Sequence, residues 1–226
     1  MVRNRETLLV TDSVSGLAGM PMQQDAWGVD IVVSGSQKAL MCPPGLALLS
    51  ASDKAWAVIA RDSGMPRFYF DLRRARVAYD KGESTFTPAV GLVAGMDVAL
   101  DMIAEEGLDN VLARHARMSR GLKAGAAALG LENFARTAQQ SNTVACFHVP
   151  DGIDGTKLIR RLYDKHRTII AGARNRLQGK MIRIGTLGAI TEADILTDLM
   201  HLEDVLDEMG HPVDKGAAVA AAVAAF

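Results

Sequence analysis

Short β-branched apolar runs that do not alternate with polar residues set the tightest limit on how this chain can fold. "ETLLVTD" (6–12), "DIVVSG" (30–35) and "GLALLSAS" (45–52) are three of them. A strand with one wet face alternates apolar and polar side chains, so runs without alternation suit strands covered on both faces, as in a parallel sheet flanked by helices. Helical spacing appears next in "DKAWAVIARD" (53–62), "PAVGLVAGMDVALDMIAEEG" (88–107) and "LDNVLARHARMSRGLKAGAAALG" (108–130). In the second of these, Val93, Met96, Leu100 and Ile103 fall on one stripe, with Pro88 suited to the first turn and Gly107 to the stop. This pair of long helices is expected to link two lobes.

The second half of the chain predicts a small α/β lobe: strand 143–149 ("TVACFHV"), helix 154–166, strands 168–171 and 180–185 ("KMIRIG"), and helix 191–209. The last helix opens with Thr191 and Asp194 at capping-box spacing and repeats Ile195, Leu199, Leu202, Leu206 and Met209 on one side. The tail "HPVDKGAAVAAAVAAF" is Ala-rich, with neither a polar face nor caps, and is expected to be frayed or loosely docked.

Charge and cysteine usage narrow the function classes. With 25 basic against 26 acidic side chains the net charge is -1, so no broad cationic face tracks a phosphodiester backbone and nucleic acid is not an expected partner. Cys42 and Cys146 lie far apart and make no metal-ligand or disulfide pattern; they read as small buried apolar residues in a reducing cytoplasm. No metal is expected, since the histidines show no ligand spacing, and His115 in "ARHAR" reads as a solvated helix residue. No apolar run is long enough to cross a membrane, and the start of the chain lacks the apolar stretch of a signal peptide.

The segment "VVSGSQKALMCPPG" (32–45) places one lysine, Lys38, a tight turn after a strand, while Asp12 closes the preceding strand. Ligands of open α/β sheets sit beyond the carboxyl ends of the strands, so one sheet edge would carry both groups. Spacing alone accommodates an Asp12 that caps the segment after its strand and a Lys38 that is merely solvated. Chemistry offers a sharper alternative. An amine partly withdrawn from water is a better nucleophile toward an aldehyde, and pyridoxal 5′-phosphate (PLP) needs such a lysine together with a carboxylate facing its pyridine nitrogen.

The stretch "LLVTDSVSGLAGMPMQQDAWGVDIVVSGSQKALMCPPGLALLSASDKAW" resembles the cofactor-binding core of class V aminotransferases, the alanine–glyoxylate and serine–pyruvate aminotransferase family. D-S-V-S, S-G-S-Q-K and P-P-G carry the match, which continues through "FTPAVGLVAGMDVAL", "EEGLDNVLARHAR" and "GKMIRIGTLG" and covers positions 7 to about 209. The resemblance implies an α/β chain of fold type I. Residues 1–107 would be the C-terminal part of the large, mainly parallel-sheet, PLP-binding domain, 108–210 the small C-terminal α/β domain, and 211–226 a tail.

The resemblance also implies roles. Asp12 would face the pyridinium nitrogen, Ser36 and Gln37 would help hold the phosphate, and Lys38 would form the Schiff base. Thr87, otherwise an ordinary N-cap before Pro88, would reach the phosphate of a neighbouring subunit, which implies a homodimer with shared sites; Ser84 stands where some relatives have a phosphate-binding tyrosine. Arg183, otherwise a solvated strand arginine, would clamp the substrate carboxylate through two parallel hydrogen bonds, with Arg174 and Arg176 in the loop before it. The implied reaction is transamination between a small amino acid (alanine or serine) and a small 2-oxo acid (glyoxylate or pyruvate), run as two half-reactions with Lys38 moving the proton. Cysteine desulfurase chemistry is not expected, because Gln37 rather than a histidine precedes Lys38 and residues 168–182 hold no cysteine. Family members also carry an N-terminal segment ahead of the Asp12 motif. The chain is therefore expected to be a truncated form, one half of a split enzyme, or a non-catalytic remnant that serves as an interaction module.

Overall fold

A computed structural model describes residues 6–61, 64–137 and 139–226. The chain forms two compact units: residues 1–17 with 21–105, and residues 18–20 with 106–226.

In the first unit, β1 (Val10–Asp12), a short helix α1 (Gln24–Trp27), β2 (Ile31–Gly35) and β3 (Ala47–Ala51) build a sheet of order β1-β2-β3. β1 and β2 pair in parallel, Asp12 lying opposite Val33, and the intervening chain supplies the crossover. β3, in contrast, runs antiparallel to β2, from Ile31 opposite Ala51 to Gly35 opposite Ala47. The connection 36–46 contains no helix, so the chain turns straight back; this corrects an all-parallel reading of the three runs.

Asp30 fastens the amino end of this sheet. Its carboxylate accepts from the Leu9 amide (2.8 Å), the Ser52 hydroxyl (3.0 Å) and the Lys54 ammonium (3.0 Å), and the Leu9 and Lys54 bonds hold its acidity below the usual carboxylate range. Ser52 also caps α2 (Asp53–Ile59) by accepting from the Ala55 amide.

Two helices complete this unit. α3 (Leu72–Tyr79), capped by Asp71, lies in a stretch for which the sequence predicted no element, and it buries no residue of its own. α4 (Val90–Glu106) buries Met96, Ala99 and Ile103, but Val93 and Leu100 stay about half exposed, so half of the expected stripe is not core. The helix is apolar on several faces, and periodicity cannot then choose between them.

The second unit builds a self-contained core. α5 (Leu108–Ala128), β4 (Val144–His148), α6 (Gly155–His166), β5 (Ala171–Gly172), β6 (Met181–Gly185) and α7 (Glu192–Glu208) follow in order, and the antiparallel sheet runs β4-β6-β5. Its inner face gives Ala145, Phe147, Ile182 and Ile184, which pack with Leu122 of α5, Leu158 and Leu162 of α6, and Ile195, Leu199 and Leu202 of α7. Asp154 caps α6 through the Thr156 amide (2.8 Å), and Thr191 and Asp194 form the full reciprocal capping box of α7.

The tail is helical and docked, contrary to the expectation of fraying. α8 (Ala217–Ala225) lays Ala218 and Ala222, both fully buried, into the core. Glycines on α5 let it approach: a Cβ on Gly125 would meet Leu199 and come 2.8 Å from the Ala218 carbonyl oxygen, and one on Gly121 would meet the Phe226 ring. A run of alanines has no stripe of its own, and its docking is decided by the small residues it meets.

Candidate active site

The carboxyl ends of β1 and β2 carry the first group of candidate residues. The Ser13 amide donates to the Val33 carbonyl (2.8 Å), and the Ser34 hydroxyl donates to the Ser13 carbonyl (3.2 Å), locking the two strand ends together. Asp12, the last residue of β1, is exposed; one carboxylate oxygen accepts from the Val14 amide (2.9 Å), and the other has no partner among the described residues.

Ser36 closes the loop after β2. It is fully buried, its hydroxyl donates to the Pro43 carbonyl (2.6 Å) and accepts from the Leu46 amide (3.2 Å), and its own carbonyl accepts from the Cys42 amide (3.0 Å). The hydroxyl that the resemblance gives to a phosphate is thus engaged in shaping the turn. Gln37 is exposed, and its side chain folds back over Gly35.

Lys38 is partly exposed and sits just before the buried Ala39 and Leu40. Its backbone carbonyl accepts from the Met41 amide (2.9 Å), and among the described residues its ammonium has neither an ion pair nor a hydrogen bond. Lys54, on the same unit, differs in being tied to Asp30. An amine without a carboxylate partner at a strand's carboxyl end, next to a carboxylate-bearing strand end, fits PLP on both of its demanding contacts. Lys38 and Asp12 could hold the aldehyde and the ring nitrogen, with Gln37 as the exposed polar side chain for the phosphate.

Thr87 is exposed one residue before Pro88. No hydrogen bond or ion pair among the described residues joins it to Asp12, Ser36, Gln37 or Lys38. The neighbouring Ser84 hydroxyl donates to the Phe86 carbonyl (2.6 Å), and Phe86 stacks on Tyr69 with ring centroids 4.7 Å apart.

Arg183 belongs to the second unit. It projects from the outer face of β6, exposed, opposite Cys146 of β4 and Ala171 of β5. Its Nε donates to the Gly172 carbonyl (3.1 Å), while its terminal nitrogens have no partner among the described residues, which suits a planar group offered to a carboxylate. Cys146 is half-buried, and burial pushes its thiol above the usual range despite the nearby Arg183 charge; Cys42 is buried, and both are free. Arg174 precedes a 3₁₀ turn (Asn175–Leu177), Arg176 lies within it, and both are exposed.

His115 departs furthest from its sequence expectation. It is fully buried, not solvated: its Nδ1 lies 2.7 Å from the Val111 carbonyl and its Nε2 accepts from the Gly188 amide at 3.1 Å. The contact that buries it comes from far along the chain, and no local pattern announces it. Among the described residues no group of three His, Cys, Asp or Glu could hold a metal ion, and no helix is long and apolar enough to cross a membrane.

Comparison with known proteins gives the family. The chain is 37% identical over 216 residues to the L-aspartate–glyoxylate aminotransferase of Paracoccus denitrificans, covering 95% of this chain and 54% of that protein. It is 37% identical over 217 residues to the serine–glyoxylate aminotransferase of Arabidopsis thaliana, with the same shares of 95% and 54%. Among solved structures, the ureidoglycine–glyoxylate aminotransferase of Bacillus subtilis superposes with a TM-score of 0.93 at 29% identity, over 99% of this chain and 59% of that one. The chain thus spans about half the length of the curated relatives it matches. Residues 1–195 match the family model described as aminotransferase class-V, and the chain belongs to that PLP-dependent family of fold type I.

Proposed function

We propose that this chain serves PLP-dependent transamination between a small amino acid, with alanine and serine as first candidates, and glyoxylate or pyruvate. The observation that carries it is Lys38: an amine free of carboxylate partners among the described residues, at the sheet end that also bears Asp12. The two curated relatives and the Bacillus subtilis enzyme share glyoxylate in their names, which favours it as the 2-oxo acid.

When bound, the cofactor supplies an aldehyde that condenses with amines and a ring that accepts the electrons left by a departing α-proton. The carboxylate of Asp12 would face the ring nitrogen and favour its protonated form. Lys38 Nζ would hold the aldehyde and, as a free amine, would serve as the general base for the proton of the substrate α-carbon. Gln37 offers its amide to the phosphate, while Ser36 holds the turn that aims Lys38. The free terminal nitrogens of Arg183 take the substrate carboxylate in two parallel hydrogen bonds.

The same proposal assigns residues 1–107 to the cofactor-holding domain and 108–210 to the small domain, with Thr87 reaching the cofactor phosphate of a second subunit in a homodimer. Exposed Val90 and Val93 near Thr87 support such a partner. Two free cysteines suit a reducing cytoplasm.

The test is to mix the purified chain with PLP, record the Schiff-base absorbance, trap the adduct with borohydride and map it. A band and label on Lys38, both absent in Lys38→Ala, are expected. Label spread over several lysines and unchanged in that variant would overturn the assignment. Sedimentation that finds only monomer in the presence of PLP would remove the shared-site dimer.

A further inference from the structure

The backbone of Gly188 is gripped from both sides by consecutive residues of α5. Its carbonyl accepts from Arg114 (2.6 Å), and its amide donates to His115 Nε2 (3.1 Å). Gly188 adopts φ 76°, a left-handed conformation that L side chains rarely adopt, and the loop it occupies comes directly after β6, the strand that carries Arg183. Arg114 is itself fixed by two bonds to Glu106, at 2.7 and 2.9 Å.

These bonds allow His115 one protonation state. A backbone N–H can only donate, so Nε2 must be bare; a carbonyl can only accept, so the Nδ1 facing Val111 must carry the proton. The ring is therefore neutral. A second proton would put an N–H donor against the Gly188 N–H and leave that amide buried without an acceptor. The charged groups facing the ring are Arg114 on α5 and Glu106 at the end of α4, which pair with each other and leave the imidazolium no carboxylate of its own.

We infer that His115 is an acid-sensitive latch: uncharged, it holds the loop after β6 against α5 through the Gly188 amide, and protonation releases that side while Arg114 keeps the other. Burial acts in the same direction, holding the His115 ring below the usual histidine range with help from Arg114 and against the opposing pull of the Val111 carbonyl and Glu106. The latch stands apart from the proposed transamination, because its signature is read on the chain's own backbone.

The experiment is amide hydrogen exchange on the 226-residue chain, resolved by residue, with protection expressed relative to the unstructured rate at each pH. Protection at Gly188 is expected to fall about tenfold or more between about pH 8 and about pH 5. The Thr186 amide, which donates to the Thr143 carbonyl, should keep its protection. His115→Gln retains an acceptor that cannot charge, and its Gly188 profile should be flat with pH. His115→Phe should lack the protection throughout; if that variant does not fold, wild type against His115→Gln decides. Gly188 protection that stays constant down to about pH 5 in wild type, or falls equally in His115→Gln, overturns the latch.

Discussion

The two units of this chain solve the problem of burying apolar surface in opposite ways. The second packs fully buried side chains from four helices and a three-stranded sheet into one cluster, including Phe147, Leu158, Ile182 and Leu202. The first, which bears Asp12 and Lys38, leaves large apolar side chains outside: Phe68, Tyr69, Phe70, Val77 and Tyr79 around α3, and Val90, Val93 and Val98 on α4. Soluble surfaces rarely leave so many such groups bare unless something covers them. The closed unit owes its stability to its own core, whereas the open one holds the proposed chemistry on a thin sheet fastened by polar bonds such as those of Asp30 and Ser36.

The largest effect that can test this contrast is all-or-none. Lys38→Ala should remove the PLP absorbance band while leaving urea unfolding of the second unit unchanged; a shift in that transition would show that the units are not separable in this sense. Next comes the core: Phe147→Ala should lower stability by about 3–5 kcal/mol, measured by denaturant unfolding, because a large ring is lost from a fully buried site. A loss under about 1 kcal/mol would mean the second unit is not close-packed. Gly125→Val should cost about 1–3 kcal/mol by overpacking against Leu199 and Ala218, and should expose α8 to limited proteolysis.

Acid should distinguish the units more gently. His115 has a folded-state affinity for protons below that of the unfolded chain, so its contribution is fully present above the ordinary histidine value of about 6.5 and is lost as pH falls below it. His115→Gln should flatten that part of the pH–stability curve; an equal acid loss in the variant would place the cause elsewhere. The smallest effect belongs to the open unit. Phe70→Ala, at a ring that is 88% exposed, should change monomer stability by no more than about 0.5 kcal/mol. A loss comparable to that of Phe147→Ala would break the comparison outright.

Much of the second unit was legible in its sequence. Leucine spacing located α7, the Thr191–Asp194 pair marked its start, and the short apolar run "TVACFHV" marked β4. In the first unit the motif around Lys38 was legible as chemistry, yet the role of Ser36 was not, because its hydroxyl bonds depend on how the loop to Leu46 closes. α3 escaped because its eight residues span little more than two turns, and α8 escaped because alanine has no face until glycines across from it provide one.

Most of the strands and helices, the Thr191–Asp194 capping box and the family motif were present in the amino-acid string, since each depends on residues close to one another in the chain. The antiparallel return of β3, the docking of the tail and the burial of His115 arose in the folded chain alone. Those outcomes rest on partners distant in the chain, such as Gly188 for His115 and Leu199 for Gly125, and a contact between distant segments leaves no periodicity in either one.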